Sequence, residues 1–182
     1  MKTIKRFTSW ATIMVVSSLF LSLPAWAQQD AKLSDAEIAK VAVVANQIDL
    51  AYAGIATQKS KNTEVLNFAR TMAKDHQAVI DQAVALVKKL KVTPKDKALS
   101  KKLLADAEKT KQTLRSKSGQ AFNTAYINNE VAYHQAVISV VADKLIPEAQ
   151  NSELKALLES VLPVLRTHLE HAQMVQKMVA HL

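Results

Sequence analysis

Three histidines and one aspartate carry the chemistry that this 182-residue chain can offer. His168 stands where a helical row of Leu154, Leu158, Val161, Leu165, Ala172, Val175 and Val179 asks for an apolar side chain. His134 lies three residues after Val131 and seven before Val141, and His76 lies four after Met72 and seven before Ala83. Asp49 is four residues after Ala45 and three before Tyr52, at the edge of its row. Four helical faces thus each turn one titratable group toward an interior. Such a group is costly there unless it is hydrogen-bonded, paired or bound to a metal. Imidazole with carboxylate is a ligand set for zinc or a transition metal, and the cores of helix bundles house such sites.

The heights of the four groups can be compared at about 1.5 Å per residue. From a turn near residue 61, Asp49 stands at about 18 Å and His76 at about 22 Å. From a turn near residue 149, His134 stands at about 22 Å and His168 at about 28 Å. The spacing is therefore compatible with one cluster near mid-height, and three readings stay open. Asp49, His76, His134 and His168 form a metal site. Alternatively they form a buried polar network that fixes helix register, with the imidazoles bonded to Asp49, Asp75, Tyr52, Tyr126 or Tyr133. In the third reading some of the histidines face water.

A di-iron carboxylate site needs Glu-x-x-His on two helices. Ala73 and Leu165 occupy the positions three before His76 and His168, which argues against di-iron oxidase chemistry and ferritin-type iron storage. Glu130, four before His134, is a secondary candidate, and so is His171, three after His168. Asp75 is expected to face away from His76, because adjacent helical residues diverge by about 100°. His181, beside the C-terminus, is expected to be inert. Met72, Met174 and Met178 are too few for a copper-binding methionine cluster. With no cysteine there is no disulfide framework and no thiolate ligand or nucleophile. The sequence also lacks a glycine-rich phosphate loop and a serine–histidine–aspartate order, so an enzyme is the least favoured function class.

The elements that must position these residues are helices. Only 2 glycines and 4 prolines punctuate the chain, and 49% of it is apolar. That composition excludes disorder and disfavours a β-sandwich with its frequent turns. Ser34-Asp35-Ala36-Glu37 reads as a capping box that opens a helix over about 35–58. A polar turn at Ser60-Lys61-Asn62-Thr63 precedes a second helix over about 64–91, which Val92-Thr93-Pro94 stops. A shorter basic helix spans about 97–116, with an inward stripe of Leu99, Leu103, Ala107, Thr110 and Leu114, and Ser118-Gly119 ends it. A third long helix covers about 120–146 before Pro147, and a fourth runs from about 153 to the C-terminus, with a kink expected near Ser160 because Pro163 lies inside it. Four long amphipathic helices with one long connection predict an all-α four-helix bundle with an additional short crossover helix.

Residues 1–27 read as an export signal. Lys2, Lys5 and Arg6 precede an apolar run from about Trp10 to Leu23, Pro24 breaks it, and Ala25-Trp26-Ala27 is a small-x-small cleavage site. Cleavage after Ala27 leaves a helical domain over 28–182, periplasmic or otherwise exported, in which no further stretch is expected to cross a membrane. The formal net charge is +8 and the leader carries three of those charges away, leaving +5. Within 88–117, eleven basic residues face three acids, so this segment alone carries +8. It can contact an anionic envelope surface such as lipopolysaccharide or anionic lipid. The alternative is a solvated helix lying on the bundle by its leucine stripe. Nucleic acid is not expected as a partner, because the segment has no aromatic residue for base stacking.

Three stretches carry a family resemblance. Phe68-Ala69-Arg70-Thr71-Met72-Ala73-Lys74-Asp75-His76, Phe122-Asn123-Thr124-Ala125-Tyr126 with His134 following, and Leu162-Pro163-Val164-Leu165-Arg166-Thr167-His168-Leu169 are together similar to the signatures of the exported bacterial family catalogued as domain of unknown function 4142. The likeness covers roughly 36–180. The chain departs from the family's pattern in having Asn123 where aspartate is more frequent and Asp49 where glutamate is usual. The resemblance implies a ferritin-like bundle and export, groups the three histidines together, and implies no reaction. The expected function is that of a periplasmic binding or stress-related protein. The alternative is an envelope structural or interaction module with a purely structural core network and a basic crossover that contacts anionic surfaces. Mass spectrometry of the exported protein is expected to find a chain beginning at Gln28; an intact N-terminus would contradict the leader reading.

Overall fold

The computed structural model describes residues 32–180, so the expected leader over 1–27 and His181 lie outside the described residues. Among the described residues all regular structure is helical: α1 (Asp35–Lys59), α2 (Thr63–Lys89), α3 (Ala98–Ser116), α4 (Gly119–Val140), a π-helical turn (Val141–Leu145), the single-turn α5 (Ile146–Glu148) and α6 (Ser152–Ala180). The capping box forms, with the Glu37 carboxylate accepting from the Ser34 backbone N–H at 2.8 Å. That bond, with help from Lys97, holds the Glu37 carboxyl at about 2, below the ordinary range. Asn62 caps α2 by accepting from Val65 N–H at 3.0 Å, and Asn151 caps α6 by accepting from Leu154 N–H at 3.0 Å.

α1 packs mainly against α2 and α4 mainly against α6, so two helical hairpins face one another. The long connection between them carries α3, which lies along α1 and touches α4. α1 and α6 bury the rows that their spacing defines. α1 contributes Ile38, Val41, Ile48, Tyr52 and Ile55, and α6 contributes Leu154, Leu158, Leu165, Ala172, Val175 and Val179. α3 buries Ala107 and Leu114, while Leu99 and Leu103 pack half-buried against the core. Two polar ties hold the ends. Asp35 accepts from the backbone N–H groups of Gln150 and Asn151 at 2.8 and 3.0 Å, and the buried Ser60 hydroxyl donates to Asn123 Oδ1 at 2.7 Å.

Three sequence expectations are corrected. The helix expected over 120–146 ends at Val140 and passes into the π turn. Pro147 has no N–H to donate and its ring crowds the preceding turn, so the chain widens ahead of it, with Ile146 N–H reaching Val141 O. Among the described residues one stretch of membrane length does exist. α1 is long and apolar enough by length and composition, although 56% of its most apolar window is buried inside the protein against the other helices. Finally, α2 ends at Lys89 rather than 91, before Pro94 can act. Pro163, by contrast, does not interrupt α6, which runs on to Ala180.

The end of α2 is closed by Lys91, whose φ of 54° is left-handed. Val92 N–H bonds to Val87 O at 2.9 Å and Lys91 N–H to Lys88 O at 3.2 Å, the paired bonds of a Schellman motif. A side chain in that conformation costs about 1 kcal/mol or more. Lys91→Gly is therefore expected to raise the unfolding free energy by up to about 1 kcal/mol, read from urea denaturation. A loss of stability would contradict the assignment.

Candidate metal centre

All four residues singled out by their spacing meet in the interior: Asp49 from α1, His76 from α2, His134 from α4 and His168 from α6. Their exposures are 0%, 4%, 1% and 5%. The three imidazole centroids are 5.2–5.6 Å apart, and each ring offers a nitrogen within 4.8 Å of the others. Asp49 Oδ2 lies 3.4 Å from His76 Nε2 and 3.6 Å from His134 Nε2.

A second set of contacts fixes which nitrogen each ring presents. Asn46 donates its Nδ2 to Ala42 O at 2.8 Å, which turns its Oδ1 toward His76 Nδ1 at 2.7 Å. His76 Nδ1–H is thus the donor and its Nε2 keeps a lone pair. His134 Nδ1 lies 2.9 Å from the carbonyl oxygen of Glu130, so it too donates there and leaves Nε2 bare. His168 Nε2 lies 3.0 Å from Asp75 Oδ2, which leaves Nδ1 bare. His76 Nε2, His134 Nε2, His168 Nδ1 and both Asp49 oxygens are buried without any hydrogen-bond partner among the described residues. Lone pairs therefore face lone pairs across the Asp49–His76 and Asp49–His134 gaps, an arrangement that needs a proton or a cation between them.

The dimensions suit a cation. Around an ion with bonds of about 2.0–2.1 Å, neighbouring tetrahedral ligand atoms are about 3.3 Å apart, close to the two Asp49–imidazole distances. A metal-bound imidazole almost always donates its second ring N–H to an acceptor, as these three do. Glu130 adds a second carboxyl. It is 0% exposed, both its oxygens lack a partner among the described residues, and its Oε2 is 3.7 Å from His134 Nδ1. Asp49, Glu130 and His134 likewise offer ligand atoms within 4.8 Å of one another. Two ionised carboxylates would balance a divalent ion.

Burial governs the protonation of the protein alone. It pushes the Asp49 carboxyl up and the Glu130 carboxyl well up, with Asp49's charge adding to the shift of Glu130. It lowers the imidazoles, His76 to about 3 and His134 to about 4, from 6.5. His168 is lowered by burial too, although Asp75 opposes the shift. All three rings are therefore neutral at pH 7, the form that binds metals.

Two side chains outside the four singled out also reach the cluster. Glu130, read only as a secondary candidate, belongs to the centre. The row Tyr126–Glu130–His134, at four-residue steps, was the signal for it. Asp75 does diverge from His76, but α2 borders α6 as well as α1, and Asp75 meets His168 on that side. Asn46 is a third participant, three residues before Asp49 on the same helical face. His171 sits half-buried with its ring at the edge of Phe68, centroids 5.1 Å apart. Tyr133, expected to be a core residue with a bonded hydroxyl, donates to Ala45 O at 2.8 Å. The Tyr126 hydroxyl finds no partner among the described residues.

Residues 21–175 match the family model described as a domain of unknown function (DUF4142), and the chain belongs to that family. The match begins earlier than the resemblance read over 36–180. No curated protein and no solved structure matches the chain.

The pKa directions fix a pH dependence for the metal-free protein. Folded-state imidazoles at about 3 and 4 cost stability as pH falls below 6.5, because only the unfolded chain then takes up protons. Carboxyls raised on folding act in the opposite sense, costing stability as pH rises through their folded values. The two effects oppose one another between about pH 4 and 6.5. Above that window only the carboxyl cost remains. Urea unfolding of metal-free protein is expected to show stability falling as pH rises above about 6.5, and Glu130→Gln is expected to remove much of that fall. An unchanged fall in the variant would contradict the buried carboxyl pair.

Proposed function

We propose that this DUF4142 protein is an exported, ferritin-like helical-bundle protein that holds one divalent transition-metal or zinc ion on Asp49, His76, His134 and His168, with Glu130 as the second carboxylate. The observation that carries the reading is the orientation of the imidazoles. Each has one nitrogen tied to an acceptor and the other bare in the shared interior, beside a carboxylate with no partner. In a purely structural network, protons held on the buried Asp49 and Glu130 carboxyls would have to supply the donors missing there. The mixed imidazole and carboxylate set suits zinc, iron or manganese. The four long helices in two hairpins and the crossover α3 support the ferritin-like part, and the charged start, apolar run and Ala25-Trp26-Ala27 support export with cleavage after Ala27.

Protein purified from its exporting host without an affinity tag is expected to carry about one metal ion per chain, and His134→Ala and His168→Ala are expected to lose it. Restoring the metal at about 100 times its dissociation constant should add about 2.7 kcal/mol of stability, a rise of about 5–10 °C in Tm. A metal-free protein that gains no stability from Zn²⁺, Mn²⁺ or Fe²⁺ would contradict the proposal. So would a His168→Leu variant more stable than wild type under metal saturation, which is the behaviour of a structural network.

A second reading concerns the segment 88–117. Lys88, Lys91, Lys95, Lys101 and Arg115 are exposed and have no acidic partner within 4.0 Å among the described residues. This uncompensated charge favours contact with an anionic envelope surface. Co-sedimentation with anionic vesicles is expected to exceed that with neutral ones and to weaken as salt rises; equal binding to both would contradict it.

A further inference from the structure

A cavity of about 320 Å³ abuts the cluster. Val41, Ala83, Val141, Leu145, Leu158 and Leu165 are among its walls, and its polar end is formed by Asn46, Asp49, His76 and His134. Glu130 and His168 are not among its lining residues, so the cavity meets the centre on the Asp49–His76–His134 side. Thr110 and the half-exposed Asp106 of α3 also line it, which brings one wall to the protein surface.

Protein interiors are close-packed and hold few voids larger than a water molecule. A void of this size is at the lower end of small-molecule sites. Water is a poor filling for most of it, since a buried water needs two to four polar partners and the greater part of the wall is apolar. The π turn contributes Val141 and Leu145 to the wall, and such turns recur at functional sites. The filling that suits this shape has an apolar body and a single polar head directed at Asp49, His76 and His134.

We infer that the cavity binds a small unbranched carboxylate of medium chain length, the chain lying among the apolar walls and the carboxylate supplying an oxygen ligand to the ion. The head-group half of this inference rests on the metal centre proposed above; the chain half rests on the cavity alone. A six-coordinate iron or manganese ion held by three imidazoles and two carboxylates keeps one position for such an oxygen, which a four-coordinate zinc ion would not. Each buried methylene contributes to affinity until the cavity is full.

Calorimetric titration of the metal-loaded mature protein with butanoate, hexanoate, octanoate, decanoate and dodecanoate tests it. Affinity is expected to rise about tenfold for every two methylenes and then to level off. Chelation of the metal is expected to weaken decanoate binding at least about tenfold, the size of a lost charge-assisted contact. Ala83→Phe fills the wall of α2 seven residues from His76 and should weaken decanoate binding by about tenfold or more with metal content unchanged. Val161→Phe, on the α6 wall, is the second blocking variant, and circular dichroism confirms that each remains helical. Metal-loaded wild type with no chain-length dependence would overturn the inference and leave the metal reading intact. Two folded blocking variants that bind like wild type would do the same. Metal content is read separately, without added carboxylate. If no metal is found, the metal reading fails and the head-group half of this inference is overturned with it, while length dependence in that protein still decides the chain half.

Discussion

Two carboxyl groups and three imidazoles taken out of water set the terms for everything packed around them. Each is nine-tenths or more buried, and a buried polar group without a partner costs on the order of 1–3 kcal/mol, more when charged. The interior meets part of that cost through contacts just outside the cluster. Asn46, the Glu130 carbonyl and Asp75 each take one imidazole N–H. These anchors do more than satisfy hydrogen bonds, because they decide which nitrogen faces inward. A divalent cation at the centre would convert the remaining unmatched lone pairs from a penalty into ligand bonds and would neutralise both carboxylates.

The helices make that arrangement possible because each contributes one or two polar residues to an otherwise apolar row. The apolar core falls into two clusters, one with Phe68, Tyr126 and Val175 among its members, the other with Val41, Leu145 and Leu158. Val44, Ile48 and Tyr52 of the first cluster bracket Asp49 in sequence, and Leu165 of the second lies one turn before His168. Burial of these rows supplies the main driving force, since single helices of this length are marginal in water. The cost of the polar layer is thus carried by packing on either side. The π turn relieves the crowding ahead of Pro147 and gives two side chains to the cavity wall.

Much of the helical scheme was legible from spacing alone. Ser34 and Glu37 marked the start of α1, Asn62 and Asn151 opened α2 and α6, and the apolar rows pointed His76, His134 and His168 inward. The failures share one cause: they depend on neighbours that a single helix does not specify. Asp75 does turn away from His76 as its spacing requires, but which imidazole it meets there is decided by α6, which lies on that side. Glu130 read only as a secondary candidate one turn before His134, whereas it belongs to the buried row Phe122, Tyr126, Glu130 and His134. The π turn follows from Pro147 together with the continuing demand to bury Val141 and Leu145, a compromise that no local propensity states. Helix α1 passes a length and composition test for a membrane span, yet more than half of its most apolar window is buried against the other helices.

The central claim is that one ion sits among imidazoles and carboxylates from four helices, and X-ray absorption at the edge of the metal bound to the purified protein addresses it most directly. The expected spectrum has an inner coordination sphere of nitrogen and oxygen at about 2.0–2.2 Å, with outer scattering from three imidazole rings that diminishes by one ring in His168→Ala. An inner sphere of oxygen alone, or a spectrum that the substitution leaves unchanged, would contradict it.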